Sequence, residues 1–301
     1  MEVGMVGLGR MGVGMAQRLL QGGHRVVGFD PLPAATASLQ AKGAETVDAL
    51  AALVALLPPP RVVWLMVPAG APVDSTLALL MPLLEAGDTL IDGGNSHYAD
   101  SQRRAKLAAT QQLAYVDCGT SGGIWGLSEG YCLMLGGEAE AIEVMRPLFE
   151  TLAPAPTRGW GRVGPSGAGH FSKMIHNGIE YALMQAYAEG FAILQHKPAL
   201  IADLPALAEI WRHGSVVRSW LLDLTAEALK QNPTLAGIAP YVSDSGEGRW
   251  TVAEAIALDV SAPAITLSLL ERLRSRDANR YSDKLLAALR QQFGGHAIQS
   301  E

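Results

Sequence analysis

Six short apolar runs mark the first half of the chain, at 2–6, 25–29, 61–67, 88–92, 113–117 and 131–135. Between them, apolar positions recur at helical spacing near 11–21, 48–57, 72–85, 98–112 and 138–150. Strand-length runs alternating with helix-length stretches predict βαβ units, and so a parallel sheet covered by crossover helices. Gly22-Gly23 supplies a stop for the first helix. Gly and Pro cluster between 154 and 169, which predicts a junction, and beyond it the pattern is wholly helical. The stretch 167–196 contains no proline and predicts one long helix; Asn232-Pro233 and Pro240 punctuate the chain beyond it. From Gly294-Gly295-His296 onward the chain reads as an irregular tail. The expected organisation is an α/β domain over 1–163, an all-α domain over 164–289 and a tail over 290–301.

At 301 residues the chain is long enough for two domains with a sizeable core. Its net charge of −6 argues against nucleic acid or an anionic membrane as partner, so an anionic ligand has to be gripped locally. No metal site is expected: Cys118 and Cys132 lack ligand spacing, and both sit in apolar runs where buried, inert thiols are expected. The start, Met1-Glu2-Val3-Gly4, lacks the basic opening of a signal peptide, and the apolar runs are too short and broken to span a bilayer. A reducing, cytoplasmic setting is the expectation.

Against this background the first turn carries specific chemistry. Gly7-Leu8-Gly9-Arg10-Met11-Gly12 fits G-x-G-x-x-G, follows an apolar strand and opens a helical pattern. A second strand then ends at Asp30, 18 residues after Gly12, near the offset at which a dinucleotide-binding domain places an acid on the adenosine ribose. The first glycine allows a tight turn, the second lets the backbone approach a pyrophosphate, and the third lets helix and strand pack closely. The helix N-terminus faces the phosphates. Asp30 would repel a 2′-phosphate, so NAD is expected over NADP; a guanidinium at Arg10 would partly offset that repulsion. The first domain is therefore expected to be Rossmann-type, and the chain a nicotinamide-dependent dehydrogenase.

The long helix carries a second constellation. Along Lys173-Met174-Ile175-His176-Asn177-Gly178-Ile179-Glu180-Tyr181, a rotation of about 100° per residue puts Lys173, His176, Asn177 and Glu180 on one face. Met174, Ile175 and Ala182 face the other way. A solvated polar stripe is one reading. The other is a lysine base beside a partly desolvated cofactor, with a carboxylic acid two turns away to supply a proton. Two loops after strands remain open between plain turns and ligand contacts. Asp92-Gly93-Gly94-Asn95-Ser96 sits at a strand C-terminus, and Cys118-Gly119-Thr120-Ser121-Gly122-Gly123 exposes N–H groups that could cradle a carboxylate.

These residues together resemble the 6-phosphogluconate dehydrogenase family, in its short, NAD-preferring form. The likeness rests on Lys173 to Tyr181 continuing through Ala182-Leu183-Met184-Gln185, on Gly246-Glu247-Gly248-Arg249-Trp250-Thr251, and on Arg290 followed by Phe293-Gly294 and His296. It runs from the Gly7 motif to the tail. The resemblance implies oxidative decarboxylation of a phosphorylated sugar acid, 6-phosphogluconate, to ribulose 5-phosphate in the pentose phosphate pathway and gluconate use. It implies Lys173 and Glu180 as catalytic base and acid. His176 and Asn177 would position hydroxyls, and Ser121, Gly122 and Gly123 would hold the carboxylate. Tyr181, Arg272, Arg290 and His296 would bind the phosphate. Val67 would line the cofactor, and Asn95 would sit between cofactor and substrate. It also implies a homodimer, or a homotetramer built from dimers, in which the tail completes the partner's pocket.

The sequence departs from the family at Ser245 and Glu247, where a phosphate-binding lysine and threonine are usual. One positive charge is lost there and a negative one is added. A β-hydroxyacid dehydrogenase acting on a small 3-hydroxy acid would share the fold and the helix lysine, without needing Glu180, Arg272 or the Arg290/His296 tail. A non-catalytic nucleotide sensor would tolerate loss of Lys173 or Glu180, and both are present.

Overall fold

The apolar runs form the strands of one eight-stranded sheet. β1 (Glu2–Val6), β2 (Arg25–Phe29), β3 (Glu45–Val47), β4 (Val62–Leu65), β5 (Thr89–Asp92), β6 (Ala114–Ser121), β7 (Cys132–Gly136) and β8 (Trp160–Gly164) lie in the order β3-β2-β1-β4-β5-β6-β7-β8. The computed structural model describes residues 1–299. They separate into a first unit, Met1–His176, and a second beginning at Asn177. Strand order reverses between β1 and β4, the place where ligands bind across the carboxyl ends of such sheets.

Alternation along the strands splits the core into two layers. Val62 and Trp64 face one layer, with Met15 and Leu19 of α1 (Arg10–Gln21) and Phe149 of α8 (Arg146–Leu152). Val63 and Leu65 face the other, with Leu53 and Val54 of α3 (Leu50–Ala55) and Leu77 and Leu80 of α4 (Ala71–Leu80). Trp64 meets Phe149 edge to face, with centroids 5.9 Å apart.

Three features differ from the sequence expectation. The sheet is not wholly parallel, because β6 and β7 pair antiparallel. Only residues 122–131, including the single turn α6 (Gly126–Glu129), connect them, shorter than a parallel crossover needs. β6 also runs to Ser121, so Cys118 to Ser121 belong to the strand and only Gly122 and Gly123 leave it. Finally, the Gly/Pro segment expected as a junction holds β8, and the apolar pattern predicts neither α2 (Pro33–Gln40) nor β3. These elements are short and carry no strong apolar period. Of the two cysteines, Cys118 is buried and burial pushes its thiol up to about 12, as an inert thiol requires, whereas Cys132 is exposed at the start of β7.

A buried ion pair ties two loops at the carboxyl edge. Asp92, at the end of β5, accepts from the Gly94 N–H, the Ser96 hydroxyl, the Tyr115 hydroxyl and Arg104. Arg104 lies on α5 (Tyr98–Ala109) and also donates to Asp74 and to the Gly70 carbonyl. Burial, aided by the Asp92 charge, pushes the Tyr115 phenol well up, so it remains a donor.

The continuous helix α9 (Ala168–Gln195) leads into the second unit, and the division between the two compact units falls within it. α7 (Ala139–Val144) completes the first unit's helices. The second unit contains α10 (Leu204–Arg212), α11 (Trp220–Gln231), α12 (Glu247–Ala257), α13 (Pro263–Arg274) and α14 (Tyr281–Gly294), and no strand among the described residues. Its core is small, with Phe191, Ala208, Leu222, Ala226 and Leu229 buried. α14 buries none of its residues and ends at Gly294, within the stretch 290–301 that the sequence pattern assigns to a tail. No helix among the described residues is long and apolar enough to cross a membrane.

Replacing Asp92 by Ala strands the Arg104 guanidinium, 0% exposed, among groups that do not fully neutralise it. The expected cost is about 3–5 kcal/mol, read from urea denaturation. A loss under about 1 kcal/mol, within the range of surface substitutions, would show that the pair does not hold this edge.

Candidate active site

The glycine loop is shaped by the strand and helix it joins. Gly7 has φ +94°, and a Cβ there would lie 2.6 Å from the Met66 carbonyl oxygen, so both conformation and space demand glycine. A Cβ on Gly12 would come within 2.1 Å of the Gly7 oxygen, so α1 packs backbone to backbone on the loop. Gly9, the N-cap of α1, is exposed and has no atom within 4 Å of a built Cβ. That open side, beside exposed Arg10 and half-buried Met11, leaves the first N–H groups of α1 without a side-chain cap. The geometry fits a pyrophosphate there.

Asp30 sits at the end of β2 and does more than the sequence suggested. One carboxylate oxygen accepts from the Leu8 N–H at 2.8 Å and the other from the Leu32 N–H at 2.8 Å. It therefore fixes the glycine loop, and each oxygen keeps a lone pair for a further donor. Val67, half-buried after β4, packs beside Gly7 and Gly94, and exposed Asn95 follows Gly94 on the loop that Asp92 anchors.

Lys173 lies on the first part of α9 and is 7% exposed. Its Nζ is 3.5 Å from His176 Nδ1, and His176 Nε2 is 3.5 Å from the Ser121 hydroxyl at the end of β6. Both distances are long for hydrogen bonds, so the three groups face one space without locking one another. Gly122 and Gly123, with φ +132° and +52°, turn the chain away just beyond Ser121.

Asp117, which the sequence pattern did not single out, is the reason α9 lies so close to the sheet. This fully buried residue of β6 accepts from the Gly167 N–H at 2.6 Å and the His170 N–H at 2.9 Å. A Cβ on Gly119 would be 2.6 Å from Lys173 Cβ, and one on Gly169 would be 2.4 Å from both the Asp117 and Met134 carbonyl oxygens. His170 Nδ1 in turn meets the Ser101 hydroxyl at 2.6 Å. An Asp in a strand looks like any strand polar residue. Its signal would have been the glycines at 119 and 169, which mark close backbone approach.

In the second unit, α9 continues through Asn177, 8% exposed, and half-buried Glu180. Tyr181 is buried, its hydroxyl without a hydrogen-bond partner, and the Arg272 guanidinium lies 3.5 Å from its ring centroid. An orphaned buried phenol beside a guanidinium suits an anionic ligand. The segment at 246–251 is fitted to this place. Gly246, at φ +109°, turns the chain into α12, and a Cβ on Gly248 would lie 2.4 Å from the Tyr181 ring. Glu247 is buried and accepts from the Ser245 hydroxyl at 2.6 Å, so the added carboxylate is tied to its neighbour. Arg290, on exposed α14, and His296 beyond it have no hydrogen bond or ion pair to Tyr181 or Arg272 among the described residues. Nor do the described residues hold any cluster of His, Cys, Asp or Glu fit for a metal.

Residues 2–161 match the sequence pattern of the NAD binding domain of 6-phosphogluconate dehydrogenase, and residues 169–292 that of its C-terminal domain. The NAD(+)-dependent, decarboxylating 6-phosphogluconate dehydrogenase of Haloferax volcanii is 45% identical over 299 residues, 99% of this chain and 98% of that one. The structure of Plasmodium falciparum 6-phosphogluconate dehydrogenase superposes with a TM-score of 0.85 at 27% identity, covering all of this chain and 66% of the other. A 3-hydroxyisobutyrate dehydrogenase from Salmonella typhimurium gives a TM-score of 0.76 at 22% identity over 92% of this chain and 95% of its own, a likeness of fold. With both halves matched in order and a relative aligned end to end, the chain belongs to the 6-phosphogluconate dehydrogenase family.

Proposed function

We propose that this protein oxidatively decarboxylates 6-phosphogluconate to ribulose 5-phosphate and carbon dioxide with NAD. The observation that carries the reading beyond a general β-hydroxyacid dehydrogenase is the Tyr181 hydroxyl, buried and without a partner under Arg272. A phosphate fits that pair, and a small 3-hydroxy acid would leave the phenol unused. The family membership and the NAD-dependent relative support the same reading.

When bound, NAD supplies the hydride acceptor. Lys173 takes the proton of the substrate's 3-hydroxyl as the hydride leaves C3, and His176, Asn177 and Asn95 orient the hydroxyls. Ser121, Gly122 and Gly123 hold the carboxylate. In the 3-keto acid so formed, the C1–C2 bond breaks, carbon dioxide departs and the electron pair moves toward the carbonyl. Lys173 returns its proton to that oxygen, giving an enediol. Glu180 then protonates the former C2, which becomes C1 of the product, while Lys173 takes back the proton of the former C3 hydroxyl and so restores the carbonyl. Gly7, Gly9, Arg10, Met11 and Gly12 hold the pyrophosphate, Asp30 the adenosine ribose and Val67 the nicotinamide side. The protein works as a homodimer or a dimer-based tetramer. α14 exposes Leu285, Leu286, Leu289 and Phe293, the last 96% exposed, an apolar face suited to a second copy. Arg290 and His296 then complete the phosphate site of the partner.

The direct test supplies [1-13C]6-phosphogluconate and NAD and counts labelled carbon dioxide against NADH. Equal yields are expected from the natural enzyme and none from Lys173→Met. Glu180→Gln is expected to lower kcat at least about tenfold while KM changes little, the pattern of a proton supplied after binding. NADH without carbon dioxide, or near-normal turnover by Glu180→Gln, contradicts the assignment.

Asp30 sets the cofactor choice. kcat/KM with NAD is expected to exceed that with NADP at least about tenfold, the scale of one charge-assisted contact. Asp30→Ser with Leu32→Arg should narrow or invert the ratio. Equal use of both cofactors by the natural enzyme contradicts the role of Asp30.

Mixing Lys173→Met with Arg290→Ala subunits tests the shared site. One pocket of each hybrid dimer then holds both natural residues, and activity is expected to return on subunit exchange. Demonstrated exchange without activity would mean that Arg290 serves its own chain.

A further inference from the structure

We propose that Asp117 is the positioning residue for Lys173, acting through the first turn of α9. The observations are geometric. The first N–H groups of a helix have no partner within it, and here two N–H groups at the start of α9, those of Gly167 and His170, donate to the two oxygens of one carboxylate. That carboxylate belongs to neither the helix nor the loop before it. It stands in the middle of β6, fully buried, 50 residues from Gly167 in sequence. A local cap would satisfy the helix equally well and leave it free to shift along the sheet. A cap rooted in the sheet fixes the axial position of α9. Lys173 is one turn beyond His170, and Ser121 is four residues beyond Asp117 on the same strand. The carboxylate thus sets the distance between the helix that carries the lysine and the strand that carries the hydroxyl.

The surroundings leave no slack for another arrangement. Gly119, Gly136 and Gly169 bring strand and helix backbones together, and a Cβ on Gly136 would meet the Asp117 carboxylate at 2.5 Å. A buried carboxylate is costly to desolvate, and the two amide donors with the positive end of the helix offset that cost. Asn in the same place has one acceptor oxygen and turns an amino group toward the other N–H. The first turn must then tilt or slip, and a displacement near 1 Å at a reacting group lowers turnover by about 100-fold.

The inference rests on the proposed role of Lys173, so its test includes a reading that needs no substrate. Lysines are reductively 13C-dimethylated and the Lys173 resonance is assigned by its absence in Lys173→Met. In folded Asp117→Asn the Lys173 resonance is expected to move while the other lysines stay. In unmethylated enzyme, kcat is expected to fall at least about tenfold with KM for NAD within about twofold. Phe149→Leu, a core change in the same unit, serves as the stability control, since a comparable loss of Tm there should leave kcat in place. If Asp117→Asn does not fold, Asp117→Glu takes its place, because it keeps both acceptor oxygens while lengthening the tether by one methylene. An unmoved Lys173 resonance in the folded variant overturns the proposal, as does normal kcat or a loss of kcat that Phe149→Leu matches at equal Tm. If the natural enzyme does not turn over 6-phosphogluconate, the proposed function fails and the resonance alone decides this inference.

Discussion

The contact that sets α9 against the sheet is a buried carboxylate bonded to two backbone amides. Asp117 receives the Gly167 and His170 N–H groups at the start of α9, and glycines at 119, 136 and 169 remove the side chains that would hold helix and strand apart. Lys173 and His176 inherit their positions from that docking, and Ser121 inherits its own from the strand that carries Asp117. The helix dipole and the anionic charge favour each other. The same charge would be costly in this interior if the helix moved away.

Two further aspartates repeat the principle at other strands. Asp30 at the end of β2 accepts from Leu8 and Leu32 and holds the glycine loop. Asp92 at the end of β5 accepts from Gly94 and Ser96 while Arg104 neutralises it and reaches the Gly70 carbonyl after β4. Loops at the carboxyl edge of a parallel sheet have no ladder to fix them. Here carboxylates that take backbone N–H groups supply the missing bonds, so the segments bearing Gly9, Asn95 and Lys173 are each tied to a strand by charge-assisted hydrogen bonds.

Much of this was legible in the sequence because it arises from periodicity. The six apolar runs became strands, the proline-free stretch became α9, and the spacing from Gly12 to Asp30 placed the glycine loop beside the second strand. Legibility failed where the determining contact is long-range. β3 and β8 are edge strands of three and five residues with mixed burial, so no apolar alternation announces them. The antiparallel turn from β6 to β7 is a consequence of a short connection. Asp117 and Arg104 read as an ordinary strand acid and an ordinary helix base until the fold buries them. Tyr181 and Arg272, expected together from the family resemblance, do meet, but as ring and guanidinium. Glu247, expected as an added charge, is tied to Ser245. Arg290 lies on the exposed α14 and His296 beyond it, with no bond to Tyr181 or Arg272 among the described residues.

Native-state hydrogen exchange at the Gly167 and His170 amides tests the central role of the Asp117 cap most directly. N–H groups in a first helical turn ordinarily exchange by local fraying. If the carboxylate of β6 holds them, both amides exchange only when the whole first unit unfolds, with the same denaturant dependence as the amides of β4 and β5. Exchange of either amide by local opening, faster than the β4 and β5 amides by about a hundredfold or more, would mean that α9 is not anchored there and that the placement of Lys173 has another cause.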